Sequence, residues 1–157
     1  MITTAQEKLR ILLVDDDELI TESLSMLLES EGYQIDVAHE VKEAIDKSYE
    51  NDYNLALLDI KLPDGEGTSL LKKLHETSPK TIKIMLTGYP ILENAVTSLN
   101  DGADAYLIKP VDLGKLLKTI KDKIQEQKAV ETATEESIAV FLQARTKKLL
   151  AGNWATP

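Results

Sequence analysis

The 157-residue sequence predicts an α/β domain of five βα units built on an open parallel sheet, (βα)₅. Three observations carry this. Short apolar runs alternate with longer segments of helical period between Leu9 and Ile108. Two of those runs are nearly uninterrupted, as expected of central strands covered by helices on both faces. A chain with 43% hydrophobic residues is also long enough to bury one continuous core.

The strands fall at Leu9 to Val14, Gln34 to Ala38, Leu55 to Asp59, Thr81 to Leu86 and Ala105 to Ile108. The first and third are the uninterrupted ones. The second alternates in polarity and suits an edge. Ile20, Leu24, Leu27 and Leu28 give the first helical stretch its apolar face, and Gly32 is placed to stop it as a C′ residue. Leu70, Leu71 and Leu74 mark the third. Ala95, Val96 and Leu99 give the fourth a weak face, with Pro90 suited to its first turn. Leu113, Leu116, Leu117, Ile120 and Ile124 give the fifth a strong one. Right-handed crossovers then place helices on both sides of the sheet.

The pattern occupies residues 1–128, and residues 129–157 read as a helical extension rather than an independent domain. A polar stretch follows Lys128 up to Glu136. Ile138, Phe141, Leu142, Arg145 and Leu149 then recur at helical spacing, followed by Trp154. Roughly 30 residues are too few for a DNA-binding domain that folds unaided. A helix with one apolar face must bury it, so packing against its own domain is slightly favoured over pairing with a second copy or docking on an effector.

Composition narrows function further. No apolar run approaches the ~20 residues of a membrane span, and Met1 to Glu7 offers no signal peptide, so a soluble, cytoplasmic protein is expected. The absence of cysteine excludes thiol catalysis and cysteine-type zinc sites, and leaves His39 and His75 as the imidazoles. A formal charge of −9 argues against a nucleic-acid surface. The charge is uneven: the chain holds 10 basic and 21 acidic residues up to Lys109, then 8 and 6.

Chemistry concentrates at the carboxyl ends of strands. Asp15, Asp16 and Asp17 directly follow Ile11-Leu12-Leu13-Val14; alone, such acids read as helix caps, and Asp17 suits that role. Asp59, however, ends another apolar run, Leu55-Ala56-Leu57-Leu58. In an open parallel sheet these ends form one crevice. If the first and third strands are neighbours, Asp15, Asp16 and Asp59 meet there and repel unless a cation joins them. Hard oxygen ligands without His or Cys favour Mg²⁺. Thr87 and Lys109 end two further strands, supplying the hydroxyl and cation that a phosphoryl transition state needs. Each also has a plain alternative, as a turn cap before Gly88 and a solvated charge before Pro110.

Leu12-Leu13-Val14-Asp15-Asp16-Asp17, the segment Leu57 to Gly67, Leu86-Thr87-Gly88 and Tyr106-Leu107-Ile108-Lys109-Pro110 together resemble the motifs of two-component receiver domains, in order and at family spacing over about Leu9 to Lys128. The resemblance implies a flavodoxin-like sheet of order 2-1-3-4-5 and phosphorylation of Asp59. It further implies direct Mg²⁺ ligation by Asp16, support by Asp15 through water, and a metal contact from the Lys61 backbone carbonyl. Lys109 would pair with phosphoryl oxygens, Thr87 would hydrogen-bond one of them, and Tyr106 would be the switch aromatic. The Lys109–Pro110 bond would be cis. Gly65 and Glu66 depart from the methionine and aspartate of many members, and Lys61 and Tyr89 occupy positions that tune phosphate lifetime.

The implied function is a phosphoacceptor switch served by a histidine kinase or phosphotransfer protein. It acts on an unidentified effector protein, with a homodimer as one form of output. No enzymatic activity is expected beyond self-catalysed phosphoryl transfer to Asp59 and its hydrolysis. Two alternatives stand beside it. In a haloacid-dehalogenase-type phosphatase, Asp15 and Asp17 would be nucleophile and acid–base, but Asp59 would have no role. A phosphorylation-independent pseudo-receiver scaffold would leave the reactive residues unused.

Overall fold

The computed structural model describes residues 8–88 and 102–150. The chain divides into two compact units, Met1–Leu117 and Lys118–Pro157. In the first unit a five-stranded parallel sheet is formed by β1 (Arg10–Val14), β2 (Gln34–Ala38), β3 (Leu55–Asp59), β6 (Ile82–Thr87) and β7 (Ala105–Ile108), in the order β2-β1-β3-β6-β7. This is the 2-1-3-4-5 order of the expected fold. The intervening β4 (Lys61–Leu62) and β5 (Gly65–Glu66) form a separate two-stranded antiparallel hairpin.

Burial explains the order. Every residue of β3 and β6 is buried, and β1 is buried from Ile11 onward, so these three strands occupy the middle. β2, which runs from exposed Gln34 to buried Ala38, takes one edge. Leu12, Val14, Ala56, Leu58 and Met85 project from the sheet into one apolar cluster with Leu70, Leu71 and Leu74 of α3 (Gly67–Thr77).

Local signals set the helix ends. α1 (Glu18–Ser30) starts at Asp17, whose Oδ1 accepts from the N–H groups of Leu19 at 3.0 Å and Ile20 at 3.3 Å. It ends in a Schellman turn: Gly32, at φ 94°, donates to the Glu29 carbonyl, and Tyr33 donates to that of Leu28. α2 (Val41–Glu50) lacks a capping side chain at Glu40. Instead Asp64, at the hairpin tip, accepts from the backbone of Val41 at 2.7 Å and Lys42 at 2.9 Å. These backbone hydrogen bonds, Lys42 foremost, hold the Asp64 carboxyl below its usual range.

The last helix differs from expectation. α4 (Leu113–Leu150) is one 38-residue helix that runs through 129–136 without a break. That stretch contains Ala, Glu, Thr and Val but no Gly or Pro, so nothing in it stops a helix already under way. The boundary read after Lys128 therefore falls inside a helix. Ile120 and Ile124 are buried, whereas every residue from 128 to 150 is exposed. Among the described residues no helix is long and apolar enough to cross a membrane. The fourth helical stretch, with Pro90, Ala95, Val96 and Leu99, lies outside the described residues, as do Tyr89 and Trp154.

Gly67 joins the hairpin to α3 where backbone approaches backbone. A Cβ there would lie 1.8 Å from the Asp59 carbonyl oxygen, whereas one on Gly65 would meet only Val41 Cγ2 at 3.4 Å. Gly67→Ala is expected to cost about 2–3 kcal/mol in urea unfolding, because two main-chain segments must part. Gly65→Ala should stay within about 0.5 kcal/mol of wild type. Equal costs would refute this reading.

Candidate functional site

The site forms at the carboxyl end of the sheet because register brings four strand ends level. Val14 pairs with Leu58, Asp59 with Leu86, and Thr87 with Ile108. Asp15 and Lys109, each one residue past its strand, therefore flank Asp59 and Thr87. The Lys109–Pro110 peptide bond is cis.

Asp15 is 2% exposed and fully engaged. Its Oδ1 accepts from the Asp17 N–H at 2.9 Å, and its Oδ2 pairs with Lys109 Nζ. Its backbone is anchored as well: the N–H donates to the Ala38 carbonyl at 3.1 Å, and the carbonyl lies 3.0 Å from His39 Nδ1. Asp59 is 8% exposed, with Oδ2 3.4 Å from Lys109 Nζ and Oδ1 accepting from the Ile60 N–H at 2.8 Å. Thr87 is wholly buried, its carbonyl accepts from the Lys109 N–H at 2.7 Å, and its side chain hydrogen-bonds the Tyr106 phenol. Asp16 is exposed and has no hydrogen-bond partner among the described residues.

Electrostatics follow from this crowding. Burial pushes the Asp59 carboxyl up, the Lys109 charge opposes that, and the Asp15 charge reinforces it. For Lys109, burial works against the ammonium, but the hydrogen bond and charge of Asp15 and the charge of Asp59 outweigh it, so its pKa is raised. The crevice thus holds two buried carboxylates around one amine, with a third carboxylate at its mouth.

That donor set fits a small hard cation. Oxygens of Asp15, Asp16 and Asp59 all lie within 4.8 Å of one another, without nitrogen or sulfur donors among them. Asp16 is the carboxylate not engaged elsewhere and so the one most open to direct ligation. Both oxygens of Asp15 are occupied, which suits an indirect role. Lys61 opens β4, two residues beyond Asp59, and its side chain is exposed.

The structure therefore brings together Asp15, Asp16, Asp59, Thr87 and Lys109, with Tyr106 bonded to Thr87. Asp17 is set apart as the α1 cap, which leaves the phosphatase reading without a free acid–base group. His39 was missed as a site residue. It directly follows β2, so the rule that singled out the other strand ends also pointed to it. Lys83 was also unforeseen: it is buried in β6 and donates from Nζ to the Ser78 carbonyl at 2.8 Å. Burial lowers its pKa, against the pull of Asp104.

Comparisons with known proteins identify the family and the fold. The response regulator receiver domain family matches residues 11–121. A transcriptional regulatory protein of Bacillus subtilis, YkoG, is 37% identical over 136 residues, covering 87% of this chain and 58% of its own. TrcR, a transcriptional regulatory protein of Mycobacterium tuberculosis, is 33% identical over 84% of this chain and 51% of its own. The chain thus spans a little over half the length of these curated relatives. Among solved structures, a CheY-like receiver domain protein from Methanospirillum hungatei superposes with a TM-score of 0.77 at 51% identity, covering 78% of this chain and 98% of that one. The beryllofluoride-activated NtrC4 receiver domain dimer matches at 0.72 and 39% identity, over 75% and 98%.

A raised folded pKa means that the native state holds the Asp59 proton more tightly than the unfolded chain does. In metal-free buffer this residue's contribution to stability is therefore lost as pH rises from the unfolded carboxylate value, about 3.9, through the folded one. Asp59→Asn removes that loss. Urea unfolding in chelator should show the variant to be more stable at pH 7 by about 1 kcal/mol, a single-site effect. The advantage should shrink toward pH 4. A variant less stable at pH 7 would contradict the charge balance described.

Proposed function

Because the chain belongs to the response regulator receiver domain family, we propose that it is a phosphoacceptor switch of a two-component system, phosphorylated on Asp59 in an Mg²⁺-dependent reaction. The observation that supports this most directly is the Asp59 carboxylate at the end of β3, 3.4 Å from Lys109 Nζ and beside two further acids. The donor is a phosphohistidine on a histidine kinase or phosphotransfer protein of the cytoplasm. The output is contact with an effector protein, a second copy of this chain among the candidates.

In the reaction, an Asp59 oxygen attacks phosphorus in line, the P–N bond breaks and the imidazole departs with its electron pair. Asp16 and Asp59 would hold Mg²⁺, with Asp15 and the Lys61 carbonyl in support, and the ion would supply neutralisation of the charge that develops during transfer. Lys109 turns from Asp15 toward the incoming dianion and carries part of its charge. Thr87 offers its hydroxyl to a phosphoryl oxygen, which requires it to loosen its bond to Tyr106. The acyl phosphate is later cleaved by water, so the chain's own chemistry is confined to this transfer and hydrolysis.

The Thr87–Tyr106 bond gives the switch its physical basis. A phosphoryl group that contacts Thr87 in only one loop arrangement must favour that arrangement. No separate transmitter is required.

With acetyl phosphate and Mg²⁺, intact-mass measurement should show one added phosphoryl group, and peptide mapping should place it on Asp59. Asp59→Asn should abolish it, and Lys109→Ala should slow it about 100-fold, the scale of losing one charge-stabilising donor. A pseudo-receiver would neither accept the group nor bind beryllofluoride with Mg²⁺, and modification persisting in Asp59→Asn would overturn the acceptor assignment. Thr87→Ala should still be phosphorylated, while the change in Tyr106 environment seen by NMR on adding beryllofluoride should vanish. An unaltered change would remove Thr87 from the switch.

A further inference from the structure

Beyond Lys128 the apolar face of α4 is exposed among the described residues. Val130, Ile138, Phe141, Leu142 and Leu149 are each at least half exposed, with Phe141 at 63% and Ile138 at 54%. Glu131, Thr134, Ile138, Phe141, Arg145 and Lys148 follow one another at alternating steps of three and four residues, the spacing of a helix-pairing seam. A stripe of this kind on a helix of this length is stable in water only when another surface closes over it.

The charges on the seam select what closes it. It begins with Glu131 and ends with Arg145 and Lys148, and none of the three has an ion-pair partner among the described residues. A parallel pair of these helices would set Glu131, Arg145 and Lys148 each against its own copy, three like-charge layers along one short seam. Reversing one helix changes every layer. Ile138 then meets Phe141, Thr134 meets Arg145, Glu131 meets Lys148, and Val130 lies beside Leu149 at each end. Because a two-fold axis runs between Ala139 and Val140 in this register, each contact occurs twice. A membrane surface is a poorer match, since the polar side carries Glu135 and Glu136 rather than a run of cations.

We propose that residues 130–150 of α4 pair antiparallel with the same residues of a second copy, in the register that sets Ile138 against Phe141 and Glu131 against Lys148. The paired stretch from 131 to 148 is about 26 Å long, so association is weak to moderate, with a dissociation constant on the order of micromolar to tens of micromolar. The pairing is independent of the reading of Asp59 and belongs to the unmodified chain.

The 157-residue chain should sediment as a dimer at about 100 μM and dissociate on dilution, following the affinity given above. Phe141→Glu should weaken the dimer more than tenfold while leaving urea unfolding of the sheet unchanged, because the residue is exposed. Glu131→Lys alone and Lys148→Glu alone should each weaken it roughly fivefold. The double exchange should restore it, a rescue that a parallel pair cannot show. As the chain has no cysteine, Glu131→Cys and Lys148→Cys provide a clean register test. Mixed under oxidation they should cross-link, and either alone should not. A monomer at every concentration, a dimer indifferent to Phe141→Glu, or cross-linking of one variant to itself would each overturn the proposal.

Discussion

The architecture turns on a charge imbalance held in place by the sheet. Asp15 and Asp59 are both buried at adjoining strand ends, and Lys109 arrives from a third strand to stand between them. Two anions and one cation in a crevice leave a deficit of positive charge, which burial makes costly. The deficit is tolerated because each carboxylate also accepts a backbone N–H, from Asp17 and from Ile60. What remains is an appetite for one further cation. A small hard cation among these carboxylates would relieve it, and the stacking of the strands is what sets the three acids close enough to share one.

Much of this was legible in the residues. Strands two, three and five carry the boundaries expected of them, the second because its alternation is bounded by polar residues and the other two because an apolar run followed by a polar residue is a sharp signal. The acids, hydroxyl and lysine were found by position rather than by type: each ends or follows a strand, and a parallel sheet has one face where such ends collect. Asp17 was separable from its neighbours for a similar reason, since its place before Glu18 suits a cap.

What escaped has physical causes too. The β4–β5 hairpin consists of two pairs of residues, too short for any alternation to show. Asp64 caps a helix more than twenty residues away, and no local pattern announces a cap supplied from a distance. The unbroken α4 was obscured because polarity after Lys128 resembled a linker, although polarity does not end a helix that contains no breaker. His39 hides its role in the backbone: it addresses the Asp15 carbonyl rather than a carboxylate.

The tether from Asp64 to α2 bears on how the loop after Asp59 behaves. A loop anchored at its tip has fewer arrangements to lose when its base takes up a ligand. Ordering is settled largely at folding, so the segment that carries Lys61 is already shaped before any ligand would arrive. The same anchorage gives a disturbance beginning at Asp59 a route toward α2 and the β2 edge, the far edge of the sheet from β7, which carries Tyr106.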